Sequence, residues 1–244
     1  MTLDDKQLIL KDTEGFIKNL FSDEPTGHDW WHVQRVRGNA LLIARTEPVD
    51  IFLVEMAALL HEVDDYKIDR QSGDTTSARV WLERVKLNLE TTDRILQIID
   101  EVSFKGLGVE SSVTSRESMV VQDADRLDAL GAIGIARTFA YGGAKRRKLF
   151  DPEIGPAVYS SFRDYQANKS TTINHFYEKL LFLKDLMQTD QGKILAEERH
   201  RFMEEFLERF YLEWGAGELG FPKKNILCRE PNPEDNAKYA SLNQ

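Results

Sequence analysis

The chain of 244 residues is 41% hydrophobic and 30% charged, an ordinary globular balance with ample apolar material for a core. A formal charge of −9 excludes an extended basic face for duplex nucleic acid, and the single cysteine, Cys228, excludes intramolecular disulfides and multi-thiolate metal centres. No stretch is apolar for long enough to serve as a secretory signal or to span a bilayer, the longest (51–60) being interrupted by Glu55. The expectation is a cytoplasmic protein of a reducing compartment, with neither duplex nucleic acid nor membrane among its partners.

Most of the chain reads as helix. Leu8, Ile9, Phe16, Ile17 and Leu20 recur at helical spacing until Pro25-Thr26-Gly27 breaks the run. A second helix starts near His28 and carries Val33, Val36, Ala40, Leu41 and Ala44 towards Pro48. Asp50 is the expected N-cap of a third, which presents Phe52, Met56, Leu59 and Leu60 before His61. Residues 65–76 are polar, contain Gly73 and read as a loop. Thr76 or Ser77 then caps a helix with Val80, Leu82, Val85 and Leu89 on its apolar side, and another begins over 92–99.

Lys105-Gly106-Leu107-Gly108 ends that helix, and a short hairpin over 105–115 stays open as an alternative. Residues 119–141 read as one long buried helix, with Gly131 and Gly134 marking close helix contacts and Gly142-Gly143 the stop. Residues 144–168 are mixed. A strong helix is expected over 171–188, where Ile173, Phe176, Leu180, Leu183 and Met187 repeat at three- and four-residue steps. The last spans 191–214, with Phe202, Phe206 and Phe210 at four-residue steps. From Pro222 onward the composition is that of an irregular tail. No repeats or alternating strand patterns occur, so the fold class is all-α.

Three segments carry the candidate chemistry. They are His32 in GHDWWHVQRV, His61-Glu62 in AALLHEVDDYK, and Asp125 in VVQDADRLDALGAIGIAR. Two imidazoles and two carboxylates from separate helices can form a mixed nitrogen and oxygen site for a divalent cation: Mn, Ni, Co, Fe or Mg. Such a site activates water for attack on phosphorus.

In that order, HVQRV, ALLHE and DADRLDAL resemble the HD-domain metal-dependent phosphohydrolases. The longer strings, including INHFYEKLLFLKDLM and AEERHRFMEEFLERF, resemble the small stand-alone HD hydrolases of bacteria and fungi. The resemblance implies a single HD-domain helical bundle with additional C-terminal helices. Residues 1–218 would form this domain (core 28–210), and 219–244 an irregular tail. It also implies a divalent metal cofactor and hydrolysis of a phosphate ester or anhydride, with a small phosphorylated substrate, a nucleotide, as partner. It leaves a homodimer open.

The family's metal ligands are His, His-Asp, Asp. Matched residue by residue they fall on His32, His61, Glu62 and Asp125, with Asp123 the runner-up for the last. Glu62 stands where the family has Asp, and its carboxylate reaches about 1.5 Å farther from the backbone. That motivates a rival reading, an HD-fold binding or regulatory protein weakened in catalysis. A di-iron oxygenase on the same fold would need more histidine ligands than His28, His32, His61, His175 and His200 supply.

Further candidates each have a structural alternative. Asp29, Asp65 and Asp128 are candidate catalytic groups for water or proton handling; Asp29 suits a helix cap as well, and Asp128 an ion pair. His28, Arg35, Lys67, Arg137, His175 and Lys179 are candidate substrate contacts, set against local capping, salt bridges, a solvated lysine and a core histidine. Lys145-Arg146-Arg147-Lys148 can recruit a polyphosphate or simply face solvent. Of Trp30 and Trp31, one suits the core and the other a stack on a base.

Overall fold

The structure, a computed structural model, describes residues 1–21, 29–63, 77–102, 113–157 and 170–215. Within them lie nine α-helices and one 3₁₀ helix, and no strand. The helices are α1 (Leu3–Leu20), α2 (Trp30–Ala44), α3 (Ile51–Leu60), α4 (Ala78–Arg84), α5 (Leu89–Val102), α6 (Arg116–Asp128), α7 (Gly131–Ala144), α8 (Asn174–Glu178) and α9 (Asp190–Glu213). The 3₁₀ helix, Leu180–Leu186, lies between the last two. None of the described helices is long and apolar enough to cross a membrane. The hairpin considered over 105–115 falls largely, and the tail from 219 wholly, outside the described residues.

Helix α3 is apolar on every side, and residues 52–60 are all buried, so it forms the central strut. α1, α2, α5 and α6 surround it. The one charge inside α3, Glu55, is answered by the Arg37 guanidinium at 2.8 Å, which also holds Glu14 at 3.0 Å. On α2 the expected Val33, Val36, Ala40 and Ala44 are buried, joined by Ile43. α4 leans on α1, where Trp81 stacks on Phe16 and donates its indole N–H to Thr13. A second layer of α7, α8, the 3₁₀ helix and α9 joins the first through α6. Its core is aromatic: Phe206 lies against Phe139 and Phe176, and Phe150 meets Phe210, Tyr211 and Trp214 edge-on.

Three expected helices come out differently. The one with Val80 to Leu89 on its apolar side stops at Arg84, because Lys86 takes a left-handed φ of 58°. Val80, within α4, and Leu89, beyond it, are both exposed, and α5 starts three residues early with the Asn88 side chain accepting from Thr91 N–H. The span 119–141 is two helices. Ser115 caps the first at Arg116, and the chain turns at Ala129-Leu130 into Gly131, whose φ is +68°. The span 171–188 is interrupted at Lys179 and continues as 3₁₀ helix. Its apolar spacing still marks what is buried, since Ile173, Phe176, Leu180, Leu183 and Met187 are all inside.

The α6–α7 turn gives a prediction. A Cβ on Gly134 would collide with the Ala129 carbonyl, a backbone atom that cannot swing aside. Gly143, in the same helix, has nothing near its Cβ position. Gly134→Ala will therefore cost about 1–3 kcal/mol in urea unfolding. Gly143→Ala will gain about 0.5–1 kcal/mol from helix propensity alone.

Candidate metal centre

The N-terminus of α2, the C-terminal end of α3 and the last turn of α6 meet at one point. Asp29 caps α2, its Oδ1 accepting from His32 N–H at 2.9 Å, which fixes His32 in the first turn. His61 is the C-cap of α3, and Glu62 follows in the turn beyond it. His32 Nε2 lies 3.2 Å from Glu62 Oε1, 3.4 Å from His61 Nε2 and 3.5 Å from Asp125 Oδ1. His61 Nε2 lies 3.4 Å from Glu62 Oε1 and 3.8 Å from Asp125 Oδ1. The two histidines and Glu62 are buried, whereas the Asp125 side chain keeps 31% of its surface and marks the open side.

The other ring nitrogen of each histidine is anchored. His61 Nδ1 is 2.8 Å from the Ala58 carbonyl, which can only accept, so Nδ1 carries hydrogen there. His32 Nδ1 is 2.7 Å from Asp128 Oδ2. These bonds turn both Nε2 atoms toward Glu62 and Asp125, the arrangement that orients imidazole ligands of a metal. Burial, the largest influence on His61, disfavours its charged form. The Glu62 hydrogen bond and the charges of Glu62 and Asp125 reverse this and push the imidazole up to about 9. The centre therefore favours positive charge.

The donor set fits a divalent cation. One atom from each of His32, His61, Glu62 and Asp125 lies within 4.8 Å of all the others. With metal–ligand bonds of about 2.1 Å, neighbouring ligand atoms lie roughly 3.0–3.4 Å apart, close to the spacings seen. Glu62 sits in the turn after α3, and for all its longer arm Oε1 lies at the centre, 3.2 Å from His32 Nε2 and 3.4 Å from His61 Nε2. Asp123 points elsewhere. Its carboxylate accepts from Gln188 N–H, Thr189 N–H and the Thr189 hydroxyl, tying α6 to the start of α9. Burial raises its pKa despite those bonds.

Asp128 stands behind His32, away from the four ligand atoms. It is 1% exposed and accepts from Arg35 through Nε (2.7 Å) and Nη2 (3.0 Å) and from Arg137 Nη1 at 2.8 Å. Burial alone would raise its pKa. The bonds from His32 and Arg35 and the charges of His32 and Arg137 outweigh that and hold it well below the usual carboxylate range. Arg35 and Arg137 thus make the salt bridges that were the alternative to phosphate binding, and Asp128 orients the His32 ring. Their joint arrangement was not foreseen, nor was the Ala58 carbonyl. Arg199 of α9 was missed entirely; it donates to the Leu127 carbonyl and to Asn39, bracing α6 against α2. Nothing in the local sequence of Arg199 signals this.

His175 and Lys179 lie in the second layer. The backbone just before them pairs with the basic segment, Thr172 N–H to the Lys148 carbonyl and Ile173 N–H to Leu149. Lys145 and Arg147 flank the Tyr141 ring, and Lys148 pairs with Asp151. Burial, then the charges of Lys179 and Arg147, push the His175 imidazole down to about 3. An unfolded chain binds this proton below about pH 6.5, and the fold resists it until about 3. Stability is therefore intact above pH 6.5 and falls as pH drops through that window. The slope for this one proton is at most about 1.4 kcal/mol per pH unit, and the ring's partial exposure narrows the pH window over which it acts. Urea unfolding between pH 7 and 5 will show a flatter dependence for His175→Gln than for the wild type. His28, Asp65 and Lys67 lie outside the described residues.

With this geometry in view, the comparisons with known proteins agree. The model of the HD domain matches residues 30–130, which contain all four candidate ligand residues. YpgQ of Bacillus subtilis is 39% identical over 196 residues, 80% of this chain and 88% of that protein. Its crystal structure in complex with ADP superposes with a TM-score of 0.66 at 34% identity, over 84% of this chain and 97% of that one. An HD-superfamily hydrolase of Bacillus thuringiensis is 44% identical with a TM-score of 0.67, covering 86% of this chain and 99% of its own. A Lactobacillus plantarum protein gives 0.76 at 36% identity, covering 88% and 99%. The chain belongs to the HD-domain family and has the fold of the HD-superfamily hydrolases.

Proposed function

We propose that this protein is a divalent-cation-dependent hydrolase of a phosphate ester or anhydride of a nucleotide. The observation that carries the proposal is the convergence of His32, His61, Glu62 and Asp125, both imidazoles turned inward by bonds at Nδ1. YpgQ, which this chain resembles over most of its length, has been crystallised with ADP, and that supports the nucleotide part.

His32, His61, Glu62 and Asp125 would hold the cation. When bound, it supplies a Lewis acid that lowers the pKa of coordinated water and takes up charge on a phosphoryl oxygen. The chain's own groups do the rest. Asp128 keeps His32 in its tautomer, and Asp29 keeps the backbone of His32 in place. The guanidinium N–H groups of Arg35 and Arg137 not spent on Asp128 are assigned to phosphate oxygens, where Arg is suited to the geometry. Asp65 is assigned to proton handling, and His28 and Lys67 to phosphate. The reach of Glu62 Oε1 to both Nε2 atoms supports its part in holding the cation.

The test is turnover of a panel of nucleoside mono-, di- and triphosphates by the purified protein with Mn, Ni, Co or Mg, with EDTA as the control. EDTA-sensitive release of phosphate or pyrophosphate is expected. A protein that takes up the cation yet cleaves none of the panel would refute the proposal.

A further inference from the structure

The paired tryptophans at the start of α2 part ways in the fold. Trp30 is in the core, while Trp31 leaves 64% of its surface to solvent. Trp31 directly precedes the ligand residue His32 and sits four residues before Arg35, so its indole shares a helix face with the Arg35 guanidinium. That guanidinium is itself 34% exposed and grips Asp128, the carboxylate behind His32, beside the 18%-exposed Arg137. Solvent therefore reaches a flat aromatic surface and two cations along one flank of the candidate centre. A large indole held in water forfeits its burial energy, and Asp29 pins this turn by capping α2. This face of α2 has the two elements a nucleotide asks for, a π-face for its base and, four residues on, a guanidinium able to hold a phosphate oxygen.

We infer that Trp31 is the stacking platform for the base of the nucleotide whose phosphates occupy the centre, an inference that rests on the nucleotide reading above. An indole face reads no hydrogen-bonding edge, so the platform accepts purines and pyrimidines alike.

The test is calorimetric titration of the Mn-loaded protein with ADP and with inorganic pyrophosphate, for the wild type, Trp31→Ala and Trp31→Phe. Stacking on an aromatic ring is worth about 5- to 150-fold in affinity. Trp31→Ala is expected to weaken ADP by that factor and leave pyrophosphate unchanged, with Trp31→Phe restoring most of the ADP affinity. Equal loss for both probes, undiminished ADP binding in Trp31→Ala, or failure of the wild type to prefer ADP would overturn it. So would a change in oligomeric state on sedimentation, which would make Trp31 an interface residue. Binding is measured apart from turnover. ADP binding with the expected Trp31 dependence but no hydrolysis would sink the hydrolase reading alone.

Discussion

His61→Ala will strip the protein of stoichiometric divalent cation and lower any phosphohydrolase turnover by about 10³-fold or more. Four side chains converge on this centre, and His61 is the one bonded at its far nitrogen to main chain, at 2.8 Å from the Ala58 carbonyl. The imidazole is therefore held in one orientation by the helix itself, and no neighbour can replace it without moving α3. Loss of the cation removes several kcal/mol of charge stabilisation in the transition state, and each 1.4 kcal/mol is a factor of ten. The fold should survive. His61 lies at the end of α3, and Leu53, Met56, Leu59 and Leu60, which carry the packing, are untouched. Metal content by elemental analysis and turnover with added Mn are the two readouts. A variant that keeps both cation and turnover would show that the quartet is not the working site.

The four residues that converge were legible in the sequence because each sits in a short, ordered string with its own apolar frame. What holds them was not. His32 and Asp128 are 96 positions apart, and their contact depends on α2 and α6 running side by side, which no local pattern reveals. Periodicity found the burial of Ile173, Phe176, Leu180, Leu183 and Met187 but not the 3₁₀ hydrogen bonding, since three- and four-residue steps serve either helix. The helix end at Arg84 was hidden for a related reason. Lys86 just beyond it takes a left-handed φ of 58°, at a residue type that usually avoids it and leaves no mark of a stop. Gly131, by contrast, carried the signal, yet the apolar run around it outweighed one glycine.

Asp128→Asn tests the support behind the ligands and will damage stability and metal affinity together. The carboxylate accepts from three residues, and an amide would turn its NH₂ group toward at least one of those donors. The amide oxygen takes the place of Oδ2, where His32 and Arg137 donate, and leaves the NH₂ against Arg35 Nε, so His32 keeps only an uncharged, weaker acceptor and cation affinity falls by roughly 10- to 100-fold. Arg35 and Arg137 lose the charge they share. Removing one side of a buried ion pair costs about 3–5 kcal/mol, and the partial exposure of Arg35 places the expected loss near about 3. If the cost comes from the stranded cations, Arg35→Met made on top of Asp128→Asn will add less than it costs alone. A coupling energy above about 0.5 kcal/mol in the double-mutant cycle is the signature. Metal affinity will not recover in the double variant, because the acceptor facing His32 is still an uncharged amide. Recovery of both quantities would mean that Asp128 serves only to neutralise the arginines.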